Sequence, residues 1–323
     1  MVVDRGPWDA WASEEVAIPD LALPFPTRMN PYRDYCAQDV RWWIQRVGLI
    51  DLPKAGDCLS VSAPDLAAAV SVPEASRSGL SLMTRWFAWC LVFDDTSVDR
   101  TIDFTVTTRG LQEVLGARPV PPGDALVAAF ADLFDQTCAR GSAAWRERFG
   151  ETLNQLIGSL LEERHANDAG EWVSVEAYVL RRRVNGALPL LYDLNEIVLN
   201  CEVPDIVRAS DAYRRCVRTS TDAVDFINDI YSLPKELAAR ESTNLVMMLA
   251  HENGSSLAAA MAQAVSYVHE AVAGFLAAEQ DLHLELPRLE LDLQQRRAAM
   301  TMIASMRDWI GGLPAYQRLA ERY

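Results

Sequence analysis

From about Tyr35 to the C terminus, apolar residues recur at intervals of three and four, and stretches that alternate residue by residue are essentially missing. That interval belongs to one face of an α-helix, whereas a half-buried strand needs a period of two. The chain is therefore expected to be all-α. Breaks rich in Pro, Gly and small polar residues at 71–79, 117–124, 165–172, 201–205, 239–244 and 251–256 divide it into roughly ten helices. None of these breaks is a long polar linker and no internal repeat stands out, so residues 34–323 are expected to form one domain. Residues 1–33 are different: they are rich in Pro and Trp, lack helical period, and read as an extended arm that packs across the body.

Half of the 323 residues are apolar, enough for a sizeable core. The formal net charge of −15 argues against nucleic acid or an anionic membrane surface as a partner, because both demand a basic patch. No apolar run approaches the roughly 20 residues that span a bilayer. The six cysteines are scattered without a CxxC pair, and nothing near the N terminus reads as a signal peptide. Reduced thiols and a cytoplasmic location are expected. The four histidines show no metal-binding spacing.

Two short patterns carry chemistry: FDDTSVD at residues 93–99 and NDIYSLPKE at 228–236. The first supplies Asp94, Asp95 and Asp99 at the end of an expected helix over 80–99, whose approach, WFAWCLVF, is strongly apolar. Phe87, Cys90, Leu91 and Asp94 are expected to share a face of that helix. Three carboxylates at such a mouth repel one another unless a cation or a set of donors compensates. The second supplies Asn228, Ser232 and Glu236, spaced four and four near the end of an expected long helix, 206–236, with Asp205 as its N-cap. Successive i, i+4 steps drift by only about 40°, so the three oxygens form a stripe. Hard oxygen donors of this kind suit Mg²⁺, which completes its octahedron with water and phosphate oxygens. Pro234 lies inside the last turn, where it removes a backbone donor and is expected to kink or loosen the helix.

Basic residues complete the pattern. Arg181, Arg182 and Arg183 precede Asn185, Gly186 and Pro189, residues that should break a helix beside an arginine. Guanidinium meets phosphate oxygens as a bidentate fork. Lys235 adjoins Glu236, and the chain closes with Arg322 and Tyr323.

Together these residues resemble the bacterial class I terpene synthases, or terpene cyclases. FDDTSVD is similar to their aspartate-rich motif, and NDIYSLPKE to their second metal motif, in which Asn, Ser and Glu hold one magnesium and a basic residue precedes the Glu. Arg182, 46 residues before Asn228, falls where the family keeps its diphosphate sensor; Asn185 and Gly186 then fall at the linker and effector positions. Arg322 and Tyr323 match the C-terminal Arg-Tyr pair, and LPFPTRMNPY and ESTNLV add further similarity. Two departures stand out. Three residues, rather than the commoner two, separate Asp95 from Asp99, and Pro234 interrupts the second motif.

The resemblance implies a single helical domain around a central apolar cavity, three Mg²⁺ ions, and a linear prenyl diphosphate substrate, farnesyl or geranylgeranyl diphosphate, ionised and cyclised with release of pyrophosphate. It implies a carbon–oxygen lyase with Asp94 as chief ligand of two metals, Asp95 and Asp99 in support or bonded to Arg182, and Asn228, Ser232 and Glu236 on the third. Arg182, Lys235, Arg322 and Tyr323 would bind diphosphate oxygens. Phe87, Cys90, Leu91, Trp309 and Tyr316 would wall the cavity, and the small side chains at Cys90, Leu91 and Gly186 suggest a roomy, weakly aromatic pocket. The sequence leaves a homodimer open. A chain-elongating prenyl diphosphate synthase should carry a second aspartate-rich motif where NDIYSLPKE stands, and a non-catalytic helical binding protein leaves the converging ligands unexplained.

Overall fold

The computed structural model describes residues 7–118 and 123–322, all of their regular structure helical. The helices are α1 (Trp8–Trp11), α2 (Arg33–Arg46), α3 (Ala55–Ser62), α4 (Pro64–Ser71), α5 (Arg77–Val98), α6 (Phe104–Leu115), α7 (Ala125–Cys138) and α8 (Ala143–Ala169). They continue with α9 (Val175–Asn185), α10 (Leu188–Val198), α11 (Asp205–Arg208), α12 (Asp211–Ala239), α13 (Leu245–Asn253), α14 (Leu257–Glu285) and α15 (Leu293–Leu319). No described helix is long and apolar enough to cross a membrane.

Local chemistry sets the helix ends. Ser76, Ser142, Ser174, Ser210 and Ser256 each accept a bond from the backbone N–H three residues on, and Asp292 with Gln295 forms a capping box. Ser210 also accounts for a difference from expectation. The helix expected from 206 is two, because Ser210 caps a new start at Asp211 and leaves Asp205–Arg208 as a single turn. Pro234 does not end α12, which continues to Ala239 with the proline ring exposed.

Two groups of helices flank the centre. The first acidic motif rides on α5, which packs against α2, α3, α4, α7 and α10. The second rides on α12, which packs against α9, α13, α14 and α15. Helix α10 touches both α5 and α12 and so ties the groups together. At the α5–α10 crossing Gly79 is required, since a Cβ there would stand 2.4 Å from the carbonyl oxygen of Val198.

Residues 12–32 carry no helix and run over the body. Thr27 donates to the carbonyl of Gly311 (2.8 Å), and Arg28 grips Asp308 through two bonds (2.9 and 2.7 Å). The buried Asn30 amide donates to the carbonyls of Val72 (3.1 Å) and Ala75 (2.8 Å). His269 donates to the carbonyl of Leu21 (2.9 Å).

Gly79→Ala is expected to destabilise the protein by about 1–3 kcal/mol, because a rigid backbone carbonyl, not a flexible side chain, occupies the space. Urea unfolding would measure this, and an unchanged midpoint would contradict the tight crossing.

Candidate active site

Near their C-terminal ends α5 and α12 face one another across a cavity of about 600 Å³. Asp94 enters it from α5, Glu236 from α12, and Arg182, Asn185 and Ala187 from the junction of α9 and α10. That junction is a true break. Helix α9 ends at Asn185, Ala187 takes a left-handed conformation (φ 61°), and α10 begins at Leu188. Gly186 lies so close to α12 that a Cβ would come within 2.3 Å of the Asp225 carboxylate.

Arg182 is held from beneath. Its Nη2 donates to Oδ1 of Asn228 (2.8 Å) and Oδ1 of Asp229 (2.9 Å), and the other Asp229 oxygen accepts from Tyr178 (2.5 Å) and the backbone N–H of Leu245 (3.0 Å). Asn244 donates through one amide nitrogen to Glu236 (2.7 Å) and to the carbonyl of Asp229 (2.7 Å). Across the cavity mouth, Lys235 lies 3.1 Å from Asp95 and 3.6 Å from Asp94. Arg322 reaches the same pair from the C terminus, with Nη1 2.7 Å from Asp95 and Nη2 2.6 Å from Asp94, and also donates to the hydroxyl of Ser62 (3.2 Å).

Asn228, Ser232 and Glu236 present amide, hydroxyl and carboxylate oxygens on one stripe of α12, a donor set that fits Mg²⁺ rather than a softer metal. The Ser232 hydroxyl is buried close to the Glu236 carboxylate and is left without a well-formed hydrogen bond among the described residues, as an unused ligand would be. Among the described residues no three His, Cys, Asp or Glu side chains converge as a ready-made cage. The remaining positions around an ion therefore fall to water and phosphate oxygens, the usual habit of Mg²⁺.

Residues 85–273, more than half the chain, match the model for terpene synthase family 2, C-terminal metal binding. The chain belongs to terpene synthase family 2. It is 26% identical over 314 residues to (2Z,6E)-hedycaryol synthase of Kitasatospora setae, covering 96% of this chain and 93% of that one. It is 29% identical over 308 residues to (−)-α-amorphene synthase ((2E,6E)-farnesyl diphosphate cyclizing) of Streptomyces viridochromogenes, covering 94% and 88%. The solved structure of hedycaryol synthase in complex with HEPES superposes with a TM-score of 0.84 at 25% identity, covering 94% of this chain and 99% of that one.

In this terpene synthase the two adjacent aspartates of the first motif face different ways. Cys90, Phe93, Asp94 and Ser97 turn into the large cavity. Phe87, Leu91 and Asp95, four apart, lie on the next stripe, and none of the three lines that cavity. Phe87 stacks on Trp309 (5.8 Å between centroids), and the carbonyl of Leu91 accepts from Cys58. Of the expected wall residues only Cys90 lines the large cavity; Phe87, Leu91 and Trp309 do not, and the buried Tyr316 donates to the carbonyl of Ser62 (2.7 Å). Nor is the wall weakly aromatic, since Trp89, Phe93, Phe104 and Phe130 line it, the first two stacked at 5.1 Å. Asp99 is not gathered with Asp94 and Asp95. It lies past the end of α5 and pairs with Lys54 (2.6 Å). Tyr323 lies outside the described residues.

Burial raises most of the acids here. Glu236 is pushed up to about 8 by burial and by the neighbouring Asp229, against the pull of Arg182. Asp225 is also pushed up to about 8 by burial, with Arg182 opposing. Glu241, on the cavity rim, rises to about 7 through burial and the nearby Asp94. Burial pushes Asp95 the same way, but Arg322 and Lys235 outweigh it and hold the carboxyl below its usual value. Glu163 and Glu241 are rim acids that no motif announces; Asp229 and Asn244 were within reach of the sequence, one beside Asn228 and the other in ESTNLV.

Asp225 yields a test by pH. Its folded pKa of about 8 lies above its ordinary 3.8, so between those values the folded protein holds a proton that the unfolded chain has released. The stability contributed by that proton is full at low pH and is lost as pH rises toward about 8. Asp225→Asn, which keeps the shape without the titration, is expected to gain thermal stability relative to wild type as pH rises from about 5 to 8. A difference in Tm that stays constant across that range would contradict the assignment.

Proposed function

We propose that this terpene synthase ionises farnesyl diphosphate with Mg²⁺ and cyclises the resulting allylic cation to a sesquiterpene, releasing pyrophosphate. The observation that carries the reading is the meeting of Glu236, the last member of the Asn228, Ser232, Glu236 stripe, with Asp94 across a cavity lined by aromatic rings and by both arginines and carboxylates. Farnesyl diphosphate is favoured over the twenty-carbon substrate because the similar α-amorphene synthase cyclises it, and because Trp89, Phe93 and Phe104 fill space that small side chains would have left open.

Asn228, Ser232 and Glu236 would hold one ion and Asp94 would hold two more, giving three in all. When bound, the ions supply charge that stabilises the departing diphosphate. Asp99, already paired with Lys54, is left out of the ligand set. Arg182, Lys235, Arg322 and Tyr323 would donate to diphosphate oxygens. For Lys235 and Arg322 this means exchanging aspartate partners for diphosphate oxygens, which draws the ends of α12 and α15 over the mouth and excludes water. Asn185 and Gly186 place the break against α12, so that movement of Arg182 is felt at the cavity wall. Below them the ring faces of Trp89, Phe93 and Phe104 can each stabilise a passing cation by about 0.5–2 kcal/mol.

Residues 34–323 act as the single catalytic domain in this reading, with residues 7–33, the described part of the 1–33 arm, laid across it. All six cysteines are free thiols, in keeping with a reducing, cytoplasmic setting.

Incubation with ten-, fifteen- and twenty-carbon prenyl diphosphates and Mg²⁺, followed by gas chromatography and mass spectrometry, should give a cyclic fifteen-carbon product. No product from any of the three would overturn the reading. Asn228→Ala and Glu236→Ala should each abolish turnover while the unfolding transition persists; full activity in either would remove that stripe from the metal site.

A further inference from the structure

The tryptophans of the N-terminal arm have no part in the mechanism above, yet one of them belongs to the large cavity. Trp8, in the single turn of α1, lines it beside Trp172 of the α8–α9 connection, on a side that also carries Asn167, Asp168, Ser242 and Thr243. A helix of four residues cannot hold itself in place, so its contacts must do so. Those contacts are rings. Trp8 meets Trp11 edge to face (5.9 Å between centroids), Trp11 meets Trp172 in the same way (5.6 Å), and Trp8 leans on Trp172 (5.8 Å). On its far side Trp172 stacks on His251 of α13 (4.2 Å, 6° between planes).

The two arm tryptophans differ in what they face. Trp11 is 4% exposed and does not line the cavity; Trp8 is partly exposed and does. Trp11 is thus the buried anchor and Trp8 the ring presented to the cavity. The turn is secured behind them, where the Ser13 hydroxyl donates to the carbonyl of Ala10 (2.7 Å) and Glu14 accepts from the backbone N–H of Leu257 (2.8 Å) at the start of α14. The frame beside Trp8 is tied as well. Asn167 of α8 bonds to Ser242 and Thr243 (3.3 Å each) beyond α12, and Arg164 donates to the carbonyl of Ser97 (3.0 Å) in α5.

Asn, Asp, Ser and Thr side chains hold water at a rim, whereas an indole displaces it. We propose that residues 7–14 are an aromatic cover on the large cavity, in which Trp8 is the wall residue that keeps bulk water from the cation; the cation is taken from the cyclase reading, the cover from the geometry. Without the ring, water reaches the allylic cation before it cyclises. Its oxygen bonds to the cationic carbon, a proton leaves to solvent, and an acyclic alcohol results.

The first measurement that tests this needs no catalysis. Cys90 lines the large cavity, while Cys36 and Cys216 are fully buried and do not. With N-ethylmaleimide as probe and mass spectrometry to map the sites, Cys90 should be alkylated about fivefold faster in Trp8→Ala than in wild type, with Cys36 and Cys216 unchanged. Trp8→Phe, which keeps a ring, should stay within about twofold of wild type. Equal Cys90 rates in wild type and Trp8→Ala would overturn the cover, and so would acceleration at all three cysteines, which marks general unfolding. The second measurement uses farnesyl diphosphate and Mg²⁺ in water enriched in oxygen-18. The ratio of labelled acyclic alcohols to the main wild-type product should rise about fivefold or more in Trp8→Ala and return toward wild type in Trp8→Phe. Faster labelling of Cys90 with an unchanged ratio would overturn the part assigned to Trp8 in excluding water. Faster labelling of Cys90 in Trp8→Ala, with no product from wild type, would remove the cyclase reading and uphold the cover.

Discussion

The arrangement depends on one buried guanidinium. Arg182 is held by Asn228 and Asp229 of α12, and Asp229 in turn accepts from Tyr178 of α9 and from the start of α13. Three helices and the α9–α10 break are thus registered against each other through a single cation and a single carboxylate. A buried pair of this kind contributes little net stability, because the desolvation of both ions offsets much of their attraction. What it contributes is position. Removing either member would strand an uncompensated charge in the interior, so the pair fixes where the break lies and which way its residues face the cavity.

Much of this could be read from the sequence, and the limits of that reading have a physical cause. Helix type follows from period, and helix ends from Ser, Asp and Gly, which is why α5, α12 and the α9–α10 break lie where the residues place them. Period does not say which of several apolar stripes on a helix turns inward. The stretch WFAWCLVF is apolar almost all round, so Phe87 and Trp89 are equivalent candidates until neighbours are known. The neighbours decide: Phe87 stacks on Trp309 of α15, and the cavity takes Cys90, Phe93 and Asp94. Asp99 fails for a related reason. It keeps its i, i+4 relation to Asp95, since its backbone N–H still donates to the Asp95 carbonyl (2.9 Å), but its carboxylate is taken by Lys54, a neighbour that period does not announce. Pro234 is tolerated because it lies on the exposed face of α12, where a lost backbone bond is accessible to water.

The carboxylates are sorted by depth in this site: Asp229 is fully buried, Asp95 partly buried and Asp94 more than half exposed. Arg182 is buried with Asp229, whereas Lys235 and Arg322 meet Asp94 and Asp95 at the mouth. The deep pair has little freedom to exchange partners. At the mouth Asp94 is more than half exposed and is readily hydrated when a cation leaves it, whereas Arg322 is only 4% exposed and must meet new acceptor oxygens when it exchanges partners. Position and response are thereby assigned to different residues. In the proposed mechanism this separation would let one end of a rigid bundle serve both as a fixed sensor and as a closing rim.

The raised acids around the cavity add a constraint on what can enter. Glu236 and Glu241 titrate near 8 and 7 because burial and neighbouring carboxylates penalise their charge. A diphosphate arriving alone would add negative charge to a rim that already contains Asp94, Glu163 and Glu241; divalent cations arriving alone would meet Arg182, Lys235 and Arg322. Neither sign is welcome without the other. Arriving together they satisfy both sets, since the carboxylates gain cations while the guanidinium and ammonium groups gain phosphate oxygens. In the proposed mechanism the same crowding that raises the carboxyl pKa values would couple occupancy by metal to occupancy by substrate, with no moving part beyond two cationic side chains at the mouth.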